Sequence, residues 1–114
     1  GEHCYLDYPE QKGDMPEVNW GMPVTSLEQT YKLDPAWGQD DNFVRNTLLG
    51  VSGTLWSESI NSTERLFYQT FPRAAALAEA GWSMPERRNY TDFLRRMKPL
   101  IDDMLRRGIA VNAK

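Results

Sequence analysis

Cysteine is almost missing from this sequence. Cys4 stands alone, so no disulfide forms within the chain, and cysteine usage leaves the compartment open. No apolar run approaches the ~20 residues of a membrane span, and no stretch has the form of a signal peptide. Positive charge is not in excess. The formal net charge is −3 with a pI near 5.1, which removes the basic footprint of a nucleic-acid binder or of a protein that docks on an anionic membrane. A calcium loop is lacking too: Asp40 and Asp41 adjoin, but no further ligands follow at the spacing such a loop needs. They read as solvated loop charges, and neither a metal nor another cofactor is expected.

What is present is ordinary globular material. With 114 residues, 40% hydrophobic and 25% charged, the chain has one domain's length and enough apolar content for a modest core, which argues against disorder. Four Trp and five Tyr are compatible with a carbohydrate site without proving one. The sequence opens almost directly into an apolar and aromatic run behind Gly1, so a piece of a larger protein is expected.

The stretch Leu48-Leu49-Gly50-Val51-Ser52-Gly53-Thr54-Leu55-Trp56-Ser57-Glu58 organises the rest. Its short apolar run reads as a strand over 48–56 covered on both faces. Gly50 and Gly53 suggest a bulge, a bend or the close approach of another backbone. Trp56 and Glu58, two apart, share a strand face at a spacing of roughly 7 Å. An indole packs on the apolar face of a pyranose while a carboxylate accepts from its hydroxyls, so the pair suits a sugar site. Taken alone, it reads first as a core tryptophan followed by a polar loop, and the rest of the chain turns the reading towards a sugar site.

A first strand is expected over 3–8, stopped by Pro9, with Tyr5 and Asp7 on one face and Cys4, Leu6 and Tyr8 on the other. This repeats the aromatic-plus-carboxylate ending. A loop follows over 9–24, where Trp20 is a large aromatic in a polar segment and calls for a ligand or a neighbouring domain. Thr25-Ser26-Leu27-Glu28 reads as a capping box for a short helix over 26–32, and a second loop is expected over 33–46. Asn61-Ser62-Thr63-Glu64 opens a helix over 62–82 that Pro72 should kink. Ser83-Met84-Pro85-Glu86 opens another over 86–107, with Phe93, Met97, Leu100, Ile101, Met104 and Leu105 as a core-facing stripe and Gly108 as its stop. Asn61 and Asn89 lie in Asn-x-Ser/Thr sequons. The order strand, helix, strand, helix, helix has the rhythm of β/α units with parallel strands, and two parallel strands alone leave open edges, as in part of a barrel.

Four ordered motifs then carry a resemblance: Tyr5-Leu6-Asp7-Tyr8, Leu55-Trp56-Ser57-Glu58, Phe71-Pro72-Arg73-Ala74 with Ala78-Glu79-Ala80-Gly81-Trp82-Ser83, and Arg107-Gly108-Ile109-Ala110. Together they resemble the family 20 glycoside hydrolases, the β-N-acetylhexosaminidases. The resemblance implies an α/β fold, with this chain as the seventh and eighth strands of a (β/α)8 barrel and their helices. It implies a retaining hydrolase of terminal β-linked N-acetylglucosamine or N-acetylgalactosamine, in which the substrate's own acetamide oxygen attacks the anomeric carbon. Carried over by position, Tyr5 donates to that oxygen and stabilises the oxazolinium, while Asp7 and Glu58 hold sugar hydroxyls. Trp56 walls the acetamide pocket and Trp20 lines the pocket or the leaving-group side. Arg73, Glu79 and Trp82 look like scaffold residues, with Arg73 and Glu79 as a buried pair.

The family's Asp-Glu acid/base dipeptide does not occur in this sequence, so the chain alone is expected to be inactive. The implied partners are an amino-sugar glycan and the rest of the barrel, with self-association of the isolated piece over its open edges. The parent enzyme is implied to work outside the cytoplasm, in a periplasm, a lysosome or the medium. A non-catalytic sugar-binding module and a helical interaction module remain the alternatives.

Overall fold

The backbone around Pro72 shows how the helical half is divided. In the computed structural model, which describes residues 4–11, 23–36, 40–57 and 60–113, the helix expected over 62–82 is two helices. The first, α3, spans Thr63–Thr70 and the second, α4, spans Arg73–Trp82. Phe71 caps α3 in an extended conformation, φ −110° and ψ 138°. The residue before a proline is driven out of the helical region, so Pro72 ends one helix and starts the next rather than bending one.

Upstream, α1 spans Leu27–Tyr31 and α2 spans Asp41–Thr47; downstream, α5 spans Tyr90–Arg106 after a 3₁₀ turn at Pro85–Arg87. The α2 helix corrects the loop expected over 33–46. Asp40, read as a solvated loop charge, stands in front of it, and its carbonyl accepts from Val44 N at 3.1 Å. A start for α5 near residue 86 is likewise corrected. Arg88 is extended, and its guanidinium donates to the carbonyls of Tyr31 and Leu33 at 2.9 and 2.8 Å, so the chain crosses the end of α1 before Asn89 caps α5.

The caps of α1 and α3 also sit one residue later than their sequence boxes. Ser26 and Gln29 form the reciprocal pair on α1, at 3.1 and 2.9 Å. Thr25 is wholly buried and spends its main chain elsewhere: its N–H donates to Pro9 and its carbonyl accepts from Arg73. On α3 the cap is Ser62, which accepts from Arg65 N at 3.0 Å. At the far end of α5, Gly108 adopts φ +80°. Its N–H and that of Ile109 return to Leu105 and Met104, the paired closure that a left-handed glycine permits.

The core lies between α1, α4 and α5. Tyr31, Ala76 and Phe93 are buried together, with Leu27, Ala75, Tyr90 and Met97 packed around them. The small Ala75 and Ala76 let the rings approach; Tyr31 and Phe93 have centroids 4.6 Å apart. Of the expected α5 stripe only Phe93 is buried, while Leu100 and Leu105 are 41% and 47% exposed. Trp82, expected as scaffold, is 92% exposed.

On the other side of α4 run the two extended segments. They meet in a parallel bridge between Tyr5 and Thr54. Leu6 N donates to Thr54 O and Thr54 N to Cys4 O, both at 2.8 Å. Beyond that bridge both expected strands need correction. Tyr8 N folds back onto Tyr5 O at 3.2 Å, so residues 5–8 make a turn rather than the end of a strand, and a period of two does not set which way Asp7 faces there. The strand at 48–56 is not covered on both faces, since Leu49 and Trp56 are 101% and 54% exposed.

Candidate functional site

The bridge sets the site. Because Tyr5 lies opposite Thr54, the Tyr5–Tyr8 turn and the Trp56 segment leave the paired region side by side and in the same direction. Gly53 makes this packing feasible. A Cβ there would run into Leu77 Cδ2 on α4 and lie 3.5 Å from Leu6 Cδ1, so only glycine lets the segment lie this close to the helix. Gly81 plays the converse part on α4, where a Cβ would come within 2.6 Å of Val51.

The turn is built to present side chains. Tyr5 is half-buried and stacks on Tyr8, centroids 5.0 Å apart with planes at 19°. Asp7 is buried at 5% exposure, whereas Trp56 is more than half exposed. Beneath the turn, side chains from the α3–α4 junction take its carbonyls. Gln69 Nε2 donates to the oxygens of Asp7 and Tyr8 at 3.2 and 3.0 Å, and Arg73 Nη2 donates to the oxygen of Leu6 at 2.5 Å. Arg73 also bonds the carbonyls of Thr25 and Gln69, and its Nε stands 3.7 Å from the carboxylate of buried Glu10.

That last contact corrects the expected Arg73–Glu79 pair. Residues six apart on a helix point to different faces, and Glu79 turns to the core side. There it accepts from Tyr31 Oη at 2.6 Å and from the two terminal Arg96 nitrogens, Nη1 and Nη2, at 2.7 and 2.8 Å. These Arg96 bonds hold the Glu79 carboxyl below its usual range. Burial pushes the Tyr31 hydroxyl up, and the bond to Glu79 adds to the shift. The group is a structural clasp, not an acid/base pair.

Of the five expected site residues, the structure brings Tyr5 and Trp56 onto adjoining segments and seats Asp7 in the turn between Tyr5 and Gln69. Trp20 and Glu58 lie outside the described residues. Among the described residues no group of three His, Cys, Asp or Glu side chains is placed to hold a metal. Burial pushes the Cys4 thiol up, away from the thiolate a nucleophile needs. Two open clefts lie elsewhere: about 340 Å³ around Asn61, Arg65 and Tyr68, and about 660 Å³ between α1, α5 and Glu10. Neither takes in Tyr5, Asp7 or Trp56. Gln69 and Glu10 escaped the sequence reading, because nothing local marks a helical glutamine or a glutamate after proline as buried.

The family model described as glycosyl hydrolase family 20, catalytic domain, matches residues 1–85. Over 97 residues the chain is 39% identical to a beta-hexosaminidase of Akkermansia muciniphila, covering 84% of this chain and 19% of that protein. It is 34% identical over 83 residues to a beta-hexosaminidase of Vibrio furnissii, covering 71% of this chain and 13% of that one. A crystal structure of a beta-N-acetylhexosaminidase superposes with a TM-score of 0.81 at 37% identity, over 93% of this chain and 22% of the other. The exo beta-N-acetylglucosaminidase of Vibrio harveyi, in complex with N-acetylglucosamine, gives 0.79 at 31% identity, over 97% of this chain and 18% of that one. The chain thus spans about a fifth or less of the curated relatives it matches.

Proposed function

This chain belongs to glycosyl hydrolase family 20, and from that premise we propose that it is the C-terminal part of a β-N-acetylhexosaminidase barrel, carrying the last two β/α units and one wall of the sugar pocket. The whole enzyme removes terminal β-linked N-acetylglucosamine or N-acetylgalactosamine with retention, outside the cytoplasm. The observation that carries the reading is the parallel bridge between Tyr5 and Thr54, which sets the tyrosine turn beside the Trp56 segment as adjoining barrel strands would.

In that pocket the acetamide oxygen of the substrate attacks its own anomeric carbon. The Tyr5 hydroxyl donates to this oxygen and steadies the charge as the oxazolinium ring forms. Trp56, more than half exposed in this chain, packs against the acetamide and sugar ring, with Trp20 on the loop side. Asp7 and Glu58 accept from sugar hydroxyls. Neither transfers protons: the acid/base pair comes from the part of the enzyme upstream of this sequence. The isolated chain self-associates, since the exposed Leu49, Met84 and Trp82 and the unpaired strand edges need cover.

The test is hydrolysis of a chromogenic β-N-acetylglucosaminide by the full-length protein and by this chain alone, side by side. The reading expects turnover by the full-length protein only. Turnover by the chain alone would overturn the roles given to Asp7 and Glu58, and silence from the full-length protein would overturn the activity.

A further inference from the structure

Resting on the reading that Tyr5 and Asp7 face the sugar, we propose that Gln69 is a positioning residue, whose side-chain amide fixes the Tyr5–Tyr8 turn and so sets where the Tyr5 hydroxyl and the Asp7 carboxylate stand. Gln69 lies in the last turn of α3 with 1% of its surface exposed. A primary amide carries two N–H groups on one nitrogen, and this nitrogen reaches two successive carbonyls, those of Asp7 and Tyr8. Leu6 offers the preceding carbonyl to Arg73, which also grips the Gln69 main-chain oxygen at 2.8 Å. Three successive peptide planes of the turn are therefore oriented from below by side chains, where a strand ladder would otherwise orient them.

The turn needs that support. Its own closing bond, Tyr8 N to Tyr5 O, is 3.2 Å long, and rotating any of the three planes swings the side chains between them. Arg73 holds several segments at once, so its removal would disturb the whole fold. Gln69 acts on the two carbonyls that follow Leu6, which makes it the cleaner handle on the pocket. A neutral amide also suits the place, supplying donors without adding a second buried charge beside Arg73.

The experiment is a double-mutant cycle in the full-length protein with a chromogenic β-N-acetylglucosaminide, at a temperature well below unfolding. Gln69→Leu keeps the bulk and removes both donors. The expected result is a kcat lowered roughly 10- to 100-fold with a smaller change in KM, and a distinctly smaller factor when the substitution is made in a Tyr5→Phe background. An equal factor in both backgrounds, or an unchanged kcat in the folded variant, overturns the proposal. Should Gln69→Leu not fold, Gln69→Met enters the same cycle, and failure of both to fold marks Gln69 as a fold residue and overturns it too. A wild-type protein without activity overturns the functional reading and this inference with it.

Discussion

Arg73, a guanidinium with no exposed surface, donates to the main-chain oxygen of Leu6, the residue that separates Tyr5 from Asp7. The start of α4 is thereby tied to the turn that carries Tyr5 and Asp7. Glu10, 3% exposed and 3.7 Å away, supplies the opposing charge.

Removing this guanidinium takes the positive charge from beside the buried Glu10 carboxylate and donors from the carbonyls of Leu6, Thr25 and Gln69. Arg73→Met in the full-length protein is expected to lower stability by about 3–5 kcal/mol. Urea unfolding followed by tryptophan fluorescence measures it; a loss below about 1 kcal/mol would show that the buried cluster holds little.

Gly53 is expected to resist substitution for a packing reason. A Cβ there meets the end of Leu77, which is itself 8% exposed and has little room to yield. Gly53→Ala should cost about 1–3 kcal/mol, and Leu77→Ala, which vacates the contested space, should make the second change much less damaging than its sum. Strict additivity in thermal denaturation would contradict the contact.

The helical second half and the parallel pairing of the two extended segments were legible in the sequence, with failures at identifiable places. The Tyr5 and Trp56 motifs stood out because aromatic residues ending short apolar runs are rare and local. The caps slipped by one at Thr25/Ser26 and Asn61/Ser62, since two competent cap residues adjoin and only tertiary bonds, such as Arg73 to Thr25 O, decide which is used. The strand end at residues 5–8 was misread because a turn and a strand share the same four residues until Gln69, 62 positions away, takes the Asp7 carbonyl. Glu79 was given the wrong arginine: its partner Arg96 lies on α5 and is reached only once α4 and α5 pack. The α2 helix is mostly polar, so periodicity has little to grip.

The Glu79 clasp predicts the acid limb of stability. Its carboxyl is held below the ordinary value chiefly by Arg96. A folded value below the unfolded one means that the stabilisation is present above the unfolded carboxylate value of about 4.3 and fades as pH falls through the folded one. Glu79→Gln should therefore lie below wild type in melting temperature at pH 7 and converge with it as the pH falls through the lowered carboxyl value. A constant gap across that range would sever the link to ionisation.

Trp56 separates function from stability. Over half of its surface is exposed, so Trp56→Ala should leave unfolding within about 0.5 kcal/mol of wild type. In the full-length protein it should lower kcat/KM for an N-acetylglucosaminide at least about tenfold, as a lost aromatic wall would. Equal damage to stability and turnover would return Trp56 to a packing role.

The most direct measurement is a crystal structure of the full-length protein with N-acetylglucosamine bound. The account predicts the Tyr5 hydroxyl at about 2.7 Å from the acetamide oxygen, the Trp56 ring against the acetamide, and the Tyr5–Thr54 bridge continued by further strands on both sides. A sugar bound away from Tyr5 and Trp56, or a chain in which these two segments are no longer paired, would contradict it.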